Sequence, residues 1–241
     1  MDRTHIRQRR FRRHLPYILA AVLVTMAASF LYFKWYDLKY DLQPSRMMNS
    51  DHFERLLDGN KRFASGHPRH PGESVEHRNK VAGGQHPFAL VVACSDSRVS
   101  PELIFDQGLG DIFVVRTAGN MLSDMELGSI QYAVEHLGVR TIVVMGHEHC
   151  GAIQALMQDE KVEGPVKTII DSLQQEVEMQ DAIARRDVQA GVVANIQHQV
   201  ASIMHSPPIA ALARQHPMNV KGVIYNLENG MVTRIGEWAG Q

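Results

Sequence analysis

Three short runs of apolar residues punctuate this chain at 88–93, 112–115 and 141–145, each bounded by polar or turn-forming positions. Runs of that length without alternation suit strands buried on both faces, as in a parallel sheet. Between the second and third, Ser123-Asp124-Met125-Glu126 reads as a capping box. The helix it opens presents Ile130, Ala133, Val134 and Leu137 on one face and stops at Gly138. Strand, helix, strand at these lengths is a βαβ unit. Upstream, Ser50 can cap a helix that carries Phe53, Leu56, Leu57 and Phe63 largely on one face. Residues 66–85, rich in Gly, Pro and His, read as turn and loop. Downstream, 165–178 and 188–205 carry helical patterns, and Ser206-Pro207-Pro208 stops the second and starts a short third over 209–214. Residues 222–227 and 231–235 flank Glu228-Asn229-Gly230, a hairpin signal. The expected fold class is α/β, a mostly parallel central sheet flanked by helices.

A different pattern precedes this domain. Residues 15–33 pass without a charge, and at about 1.5 Å of helical rise each they reach across a hydrocarbon layer about 30 Å thick. Before them stand Arg3, Arg7, Arg9, Arg10, Arg12 and Arg13 against the single acid Asp2, a bias that keeps a leading flank cytoplasmic. The organisation is therefore a basic cytoplasmic N-terminus (1–14), a transmembrane signal anchor (15–33), a linker (34–49) and a folded domain (50–241). Lys34, Trp35, Tyr36 and Lys39 sit where an outer membrane interface favours them. In a bacterium this places the domain in the periplasm, held to the inner membrane. Two other readings stay open: a signal cleaved near Ala27-Ala28-Ser29, leaving a soluble periplasmic protein, and twin-arginine export through Arg9-Arg10-Phe11. The net charge of −1 over 241 residues gives no whole-molecule reason to bind nucleic acid.

Chemistry concentrates in two places. The chain has two cysteines, one in Ala93-Cys94-Ser95-Asp96-Ser97-Arg98-Val99 and the other in Gly146-His147-Glu148-His149-Cys150-Gly151. Both segments follow predicted parallel strands, at the sheet edge where ligands and reacting groups collect. Two strand ends can bring Cys94, His147 and Cys150 together, and two thiolates with an imidazole suit tetrahedral Zn2+ with one position open for solvent. A disulfide is the plainer alternative, but it would leave His147, Asp96 and Arg98 without a role. His149 reads as a surface or pocket residue, and Glu148 belongs to no His-Glu-x-x-His motif because position 151 is glycine. Asp96 can orient a nucleophile on the metal or ligate the metal itself, and the planar fork of Arg98 can hold its carboxylate ionised.

These two segments together resemble the β-class carbonic anhydrases, with the similarity running over about 50–235. Gln85, Pro101, the stretch Gly110-Asp111-Ile112-Phe113-Val114-Val115-Arg116 and Ala118-Gly119-Asn120 fit the same pattern. The resemblance implies a β-carbonic anhydrase-like domain behind its transmembrane helix, binding Zn2+ through Cys94, His147 and Cys150. It implies reversible hydration of carbon dioxide to bicarbonate by zinc-bound hydroxide, with Asp96 and Arg98 as the gating and orienting dyad. Gln85 looks like a donor that places the substrate, Phe113 like an apolar wall supplied by a neighbouring subunit, and Gly151 like a backbone contact beside the metal. A homodimer or tetramer with an embracing N-terminal helical arm is implied as well. Val91 stands where some members carry a tryptophan tied to a bicarbonate-regulated closed form, so the resemblance implies less bicarbonate inhibition, with water rather than Asp96 on the metal.

Two rival functions share these residues. One is hydrolysis of carbon disulfide or carbonyl sulfide on the same fold, since those substrates are also linear and attacked at carbon. The other is a membrane-tethered zinc-binding module without turnover, which the intact Asp96 and Arg98 pair disfavours.

Overall fold

Strand β1 (Ala89–Cys94) runs through the sheet with all of its residues buried. The computed structural model describes residues 16–17, 19–32 and 52–237, and the chain divides into two compact units, Met1–Ser50 and Asp51–Gln241. In the second unit β1 is joined by β2 (Ile112–Thr117), β3 (Thr141–His147), β4 (Asn219–Tyr225) and β5 (Val232–Glu237), in the order β2-β1-β3-β4-β5. The first four are parallel, and β5 returns antiparallel to β4 as the Asn-Gly hairpin predicts. The helices are α1 (His52–Ala64), α2 (Val75–Val81), α3 (Pro101–Ile104), α4 (Asp124–Glu135), α5 (Gly151–Met157), α6 (Pro165–Gln175), α7 (Gln180–Arg185), α8 (Val188–His205) and α9 (Pro207–Gln215).

Side chains alternate across the sheet into two cores, which is why the strands read as unbroken apolar runs. Leu90, Val92, Ile142 and Val144 meet Ile130 and Val134 of α4 and Ile196, Val200 and Ile203 of α8. Ala89, Val91, Ala93, Val143 and Met145 meet Phe53 and Leu56 of α1. Asn60 ties α1 to the rest: its amide donates to the Gly230 carbonyl at 2.8 Å and the Ile104 carbonyl at 3.2 Å, and its oxygen accepts from the Val232 amide at 2.8 Å. At the start of α4 the capping box is formed, with the Ser123 amide donating to the Glu126 carboxylate at 2.9 Å. Gly146 has no room for a side chain, because a Cβ there would lie 2.6 Å from Ile196 of α8.

Three expectations change. Residues 66–85 are not all loop: α2 forms there, with the Ser74 hydroxyl accepting from the His77 amide at 3.0 Å. No residue of α2 is buried, so no apolar periodicity announces it. The helix expected over 165–178 ends at Gln175, and the chain passes through an extended Glu176 into a 3-10 turn (Val177–Met179) and α7. Leu173 and Met179 are both fully buried, whereas one continuous helix, at about 100° per residue, would set them about 120° apart. Strands β2 and β3 also run further than expected, through Arg116-Thr117 and Gly146-His147, held by pairing with Cys94 and Tyr225.

In the first unit, residues 16–17 and 19–32 are helical with exposed side chains. Among the described residues no helix is long and apolar enough to cross a membrane. Residues 15, 18 and 33 of the expected span, the basic flank 1–14, the linker 34–49 and the cap at Ser50 lie outside the described residues.

Candidate metal centre

The register of β1 on β3 pairs Ala93 with Met145, so Cys94 and His147 finish adjacent strands at one edge of the sheet. Past His147, Glu148 donates its amide to the Tyr225 carbonyl at 3.1 Å, and His149 takes a left-handed conformation with φ 54°. That turn folds Cys150 back over His147 at the start of α5, a helix the apolar pattern does not announce. The ligand atoms of Cys94, His147 and Cys150 then all lie within 4.8 Å of one another. The three residues are 5%, 0% and 2% exposed. Both cysteines are free thiols, so the disulfide alternative is not realised.

The donors are prepared for a cation. His147 Nδ1 faces the Glu148 carbonyl at 2.8 Å, which places the ring proton on Nδ1 and leaves the Nε2 lone pair available. Nε2 is buried and has no hydrogen-bond partner, a costly state for an imidazole nitrogen unless something electrophilic occupies the space it faces. Cys94 Sγ accepts from the amides of Gly119 at 3.3 Å and Asp96 at 3.4 Å. The hydrogen bond from the Cys150 thiol, reinforced by these amides, holds the Cys94 thiol well below its ordinary pKa despite burial. Cys150 is pushed up by the same contact with Cys94 and by burial. Two sulfurs and one imidazole fit Zn2+ by donor type and number.

Asp96 stands beside the trio without joining it. Arg98 grips its carboxylate through Nε at 3.0 Å, Nη2 at 2.7 Å and the backbone amide at 2.9 Å. The Arg98 guanidinium keeps the carboxyl well below the usual carboxylate range. Oδ2 lies 4.0 Å from His147 Nε2. Arg116, which the sequence offers only as part of a longer stretch, fixes this loop by donating to the Cys94 carbonyl at 3.0 Å and the Asp96 carbonyl at 2.8 Å.

The remaining candidates lie apart. Gly151 begins α5 next to Cys150, exposed and with open space where a Cβ would be. Gln85 is exposed in the loop before β1. Phe113, paired with Leu90 near the start of β2, is half-buried with its ring 6.4 Å from that of Tyr132. Leu90 and Cys94 are separated by about 13 Å at the rise of a parallel strand, so within one chain Gln85 and Phe113 sit at the sheet edge opposite the trio. Val91 is fully buried in the core against α1.

The family model described as carbonic anhydrase matches residues 89–232. Carbonic anhydrase 2 of Mycobacterium tuberculosis is 40% identical over 187 residues, covering 74% of this chain and 88% of the relative. The carbonic anhydrase of Mycolicibacterium smegmatis is 38% identical over 185 residues, covering 75% and 90%. Among solved structures, a tetrameric β-carbonic anhydrase from Sordaria macrospora superposes with a TM-score of 0.63 at 29% identity, covering 79% of this chain and all of that one.

Proposed function

This chain belongs to the β-class carbonic anhydrases, and from that membership we propose that it catalyses the reversible hydration of carbon dioxide to bicarbonate and a proton with Zn2+ held by Cys94, His147 and Cys150. The observation that carries this reading is the unpartnered, buried Nε2 of His147 facing two thiols, with an ionised carboxylate 4.0 Å away. When bound, a zinc ion supplies the Lewis acidity that makes water a nucleophile near neutral pH.

The protein's own part is orientation. Asp96 is held as a carboxylate by Arg98, so Oδ2 can only accept; by accepting a hydrogen bond from the attacking oxygen it would turn a lone pair of that oxygen toward the substrate carbon. Arg116 holds the backbone on which both Cys94 and Asp96 are mounted. With Arg98 already holding the carboxylate, Asp96 would stay off the ion in this reading, and Cys94, His147 and Cys150 would hold it with a position left for water. Carbon dioxide is small, linear and apolar, so an apolar wall and one amide donor suffice to place it. In this reading Phe113 and Gln85 are those groups and act on a second subunit's site, since each lies at the edge opposite its own chain's trio. Gly151 adds a backbone contact next to Cys150. That division of labour calls for a homodimer or a tetramer built from dimers. From the uncharged run 15–33 in the sequence and the arginine-rich flank before it, we further propose an anchor in the inner membrane with the catalytic domain in the periplasm.

The test is stopped-flow carbon dioxide hydration by the full chain, with metal content measured on the same sample and carbon disulfide and carbonyl sulfide assayed beside it. The expected result is about one zinc per chain with turnover of carbon dioxide. Turnover confined to the sulfur compounds would replace the substrate, and zinc without any turnover would reduce the chain to a binding module.

A further inference from the structure

A row of buried polar side chains runs from α8 to the metal trio, and the chemistry above leaves it unused. Asn195 and Gln199 lie one turn apart on α8, each 1% exposed. The Asn195 amide donates to the Gly119 carbonyl at 2.7 Å and more weakly to Asn120 Oδ1 at 3.3 Å. Its own oxygen accepts from Gln199 Nε2 at 2.9 Å, and the same nitrogen donates to Glu176 Oε1 at 2.9 Å. Gln199 Oε1 accepts from the Leu122 amide at 3.2 Å. The inner end of this row is Gly119, whose amide points at Cys94 Sγ.

The turn at Gly119 and Asn120 is where this restraint bears. Gly119 has φ 66°, which glycine adopts freely, and Asn120 after it has φ 46°; left-handed backbone outside glycine is disfavoured and persists only where the surroundings impose it. A free loop would relax and turn the Gly119 N–H away from sulfur. A Cβ at Gly119 would sit 3.1 Å from that of Ala152 of α5, close enough that Ala152 would have to give by a few tenths of an ångström, and φ 66° strains any residue with a side chain there. Burial pushes Glu176 up to about 8, with Glu178 adding to it against the hydrogen bond from Gln199, so the outer end of the row is uncharged at neutral pH and adds no field of its own.

We propose that Asn195, braced by Gln199, is a positioning residue for the metal centre: it holds Gly119 in the conformation that aims an amide hydrogen bond at the Cys94 sulfur. An N–H···S bond withdraws charge from a thiolate and fixes the direction of its remaining lone pairs, so the row sets both the strength and the orientation of one ligand from α8. Outer partners of this kind tune metal affinity as ligating histidines' partners do. The proposal rests on the reading of Cys94, His147 and Cys150 as a metal site.

The test uses Co2+ as the probe in the full chain, because thiolate-to-cobalt charge-transfer absorption reports the sulfur donors directly. Asn195→Leu keeps the size and branching and removes the donor to the Gly119 carbonyl, where a buried carboxyl could still donate through a proton of its own. The expected result is a charge-transfer band displaced to longer wavelength, with loss of Co2+ to a competing chelator faster by about 10–100-fold. Circular dichroism checks that the variant is folded. Gln199→Met, close in volume, carries the same test one link further out, with a smaller displacement in the same direction, should Asn195→Leu fail to fold. A folded variant whose band and release rate match the parent chain overturns the proposal. A parent chain that takes up Co2+ without thiolate bands overturns the metal reading instead.

Discussion

Asp96 and Cys94 are two residues apart, yet the proposed function gives them separate tasks: sulfur for binding, carboxylate for aiming. Asp96→Ala is therefore expected to retain its zinc and lose roughly 100-fold or more in kcat, measured as turnover per bound metal. A parallel loss of metal would show that Asp96 is a ligand. A second residue-scale effect lies in the buried carboxyl of Glu176, whose pKa stands at about 8 against an ordinary 4.5. The folded chain keeps a proton there that the unfolded chain releases, so stability falls as pH rises from about 4.5 to about 8 and levels off beyond. Glu178, paired with His198 at 2.9 Å, is the charged neighbour that adds to burial. Glu176→Gln is expected to remove this slope and to be the more stable protein above pH 8 by on the order of a few kcal/mol. Denaturant midpoints across the pH range check it, and parallel profiles for the two proteins would refute it.

Elements whose burial matches a simple period were legible before any coordinates. The strands and α4 declare themselves because both faces of the sheet are covered and the capping box marks where the helix begins. Elements defined by polar contacts did not. Helix α2 buries nothing, and α6 breaks where Glu176 turns inward, a choice made by packing of Leu173 and Met179 rather than by local propensity. The metal trio was readable because two cysteines in a whole chain are conspicuous. Arg116 and Asn195 were not, since they act on backbone carbonyls, which any donor of suitable length can reach and no spacing rule identifies. Asn60 belongs with them. It joins α1, the end of α3 and the β4–β5 hairpin through three hydrogen bonds. Asn60→Ala leaves those buried groups unpaired and is expected to cost about 2–4 kcal/mol, read as a lower denaturant midpoint. A cost near zero would mean that α1 docks through Phe53 and Leu56 alone.

For the whole molecule, the placement of Gln85 and Phe113 makes a prediction about assembly. If each chain lends Gln85 to its neighbour, a Cys94→Ala chain and a Gln85→Ala chain are both impaired alone and complement each other when co-expressed. The mixed dimer contains one site with intact ligands from one chain and an intact amide from the other. Hydration activity above the sum of the two parents is expected, and activity no greater than that sum would place Gln85 at its own chain's site or at none.

The closeness of the two thiols also matters before any metal arrives. With no other cysteine in the sequence, each sulfur has one intramolecular partner, and it is the neighbour a few ångströms away. Such a pair can surrender two electrons to an oxidant and lock into a dead-end crosslink with no donors left for a cation. If the domain matures in the periplasm as proposed, early loading is then a race, and the ion would double as a protecting group for the sulfurs that hold it.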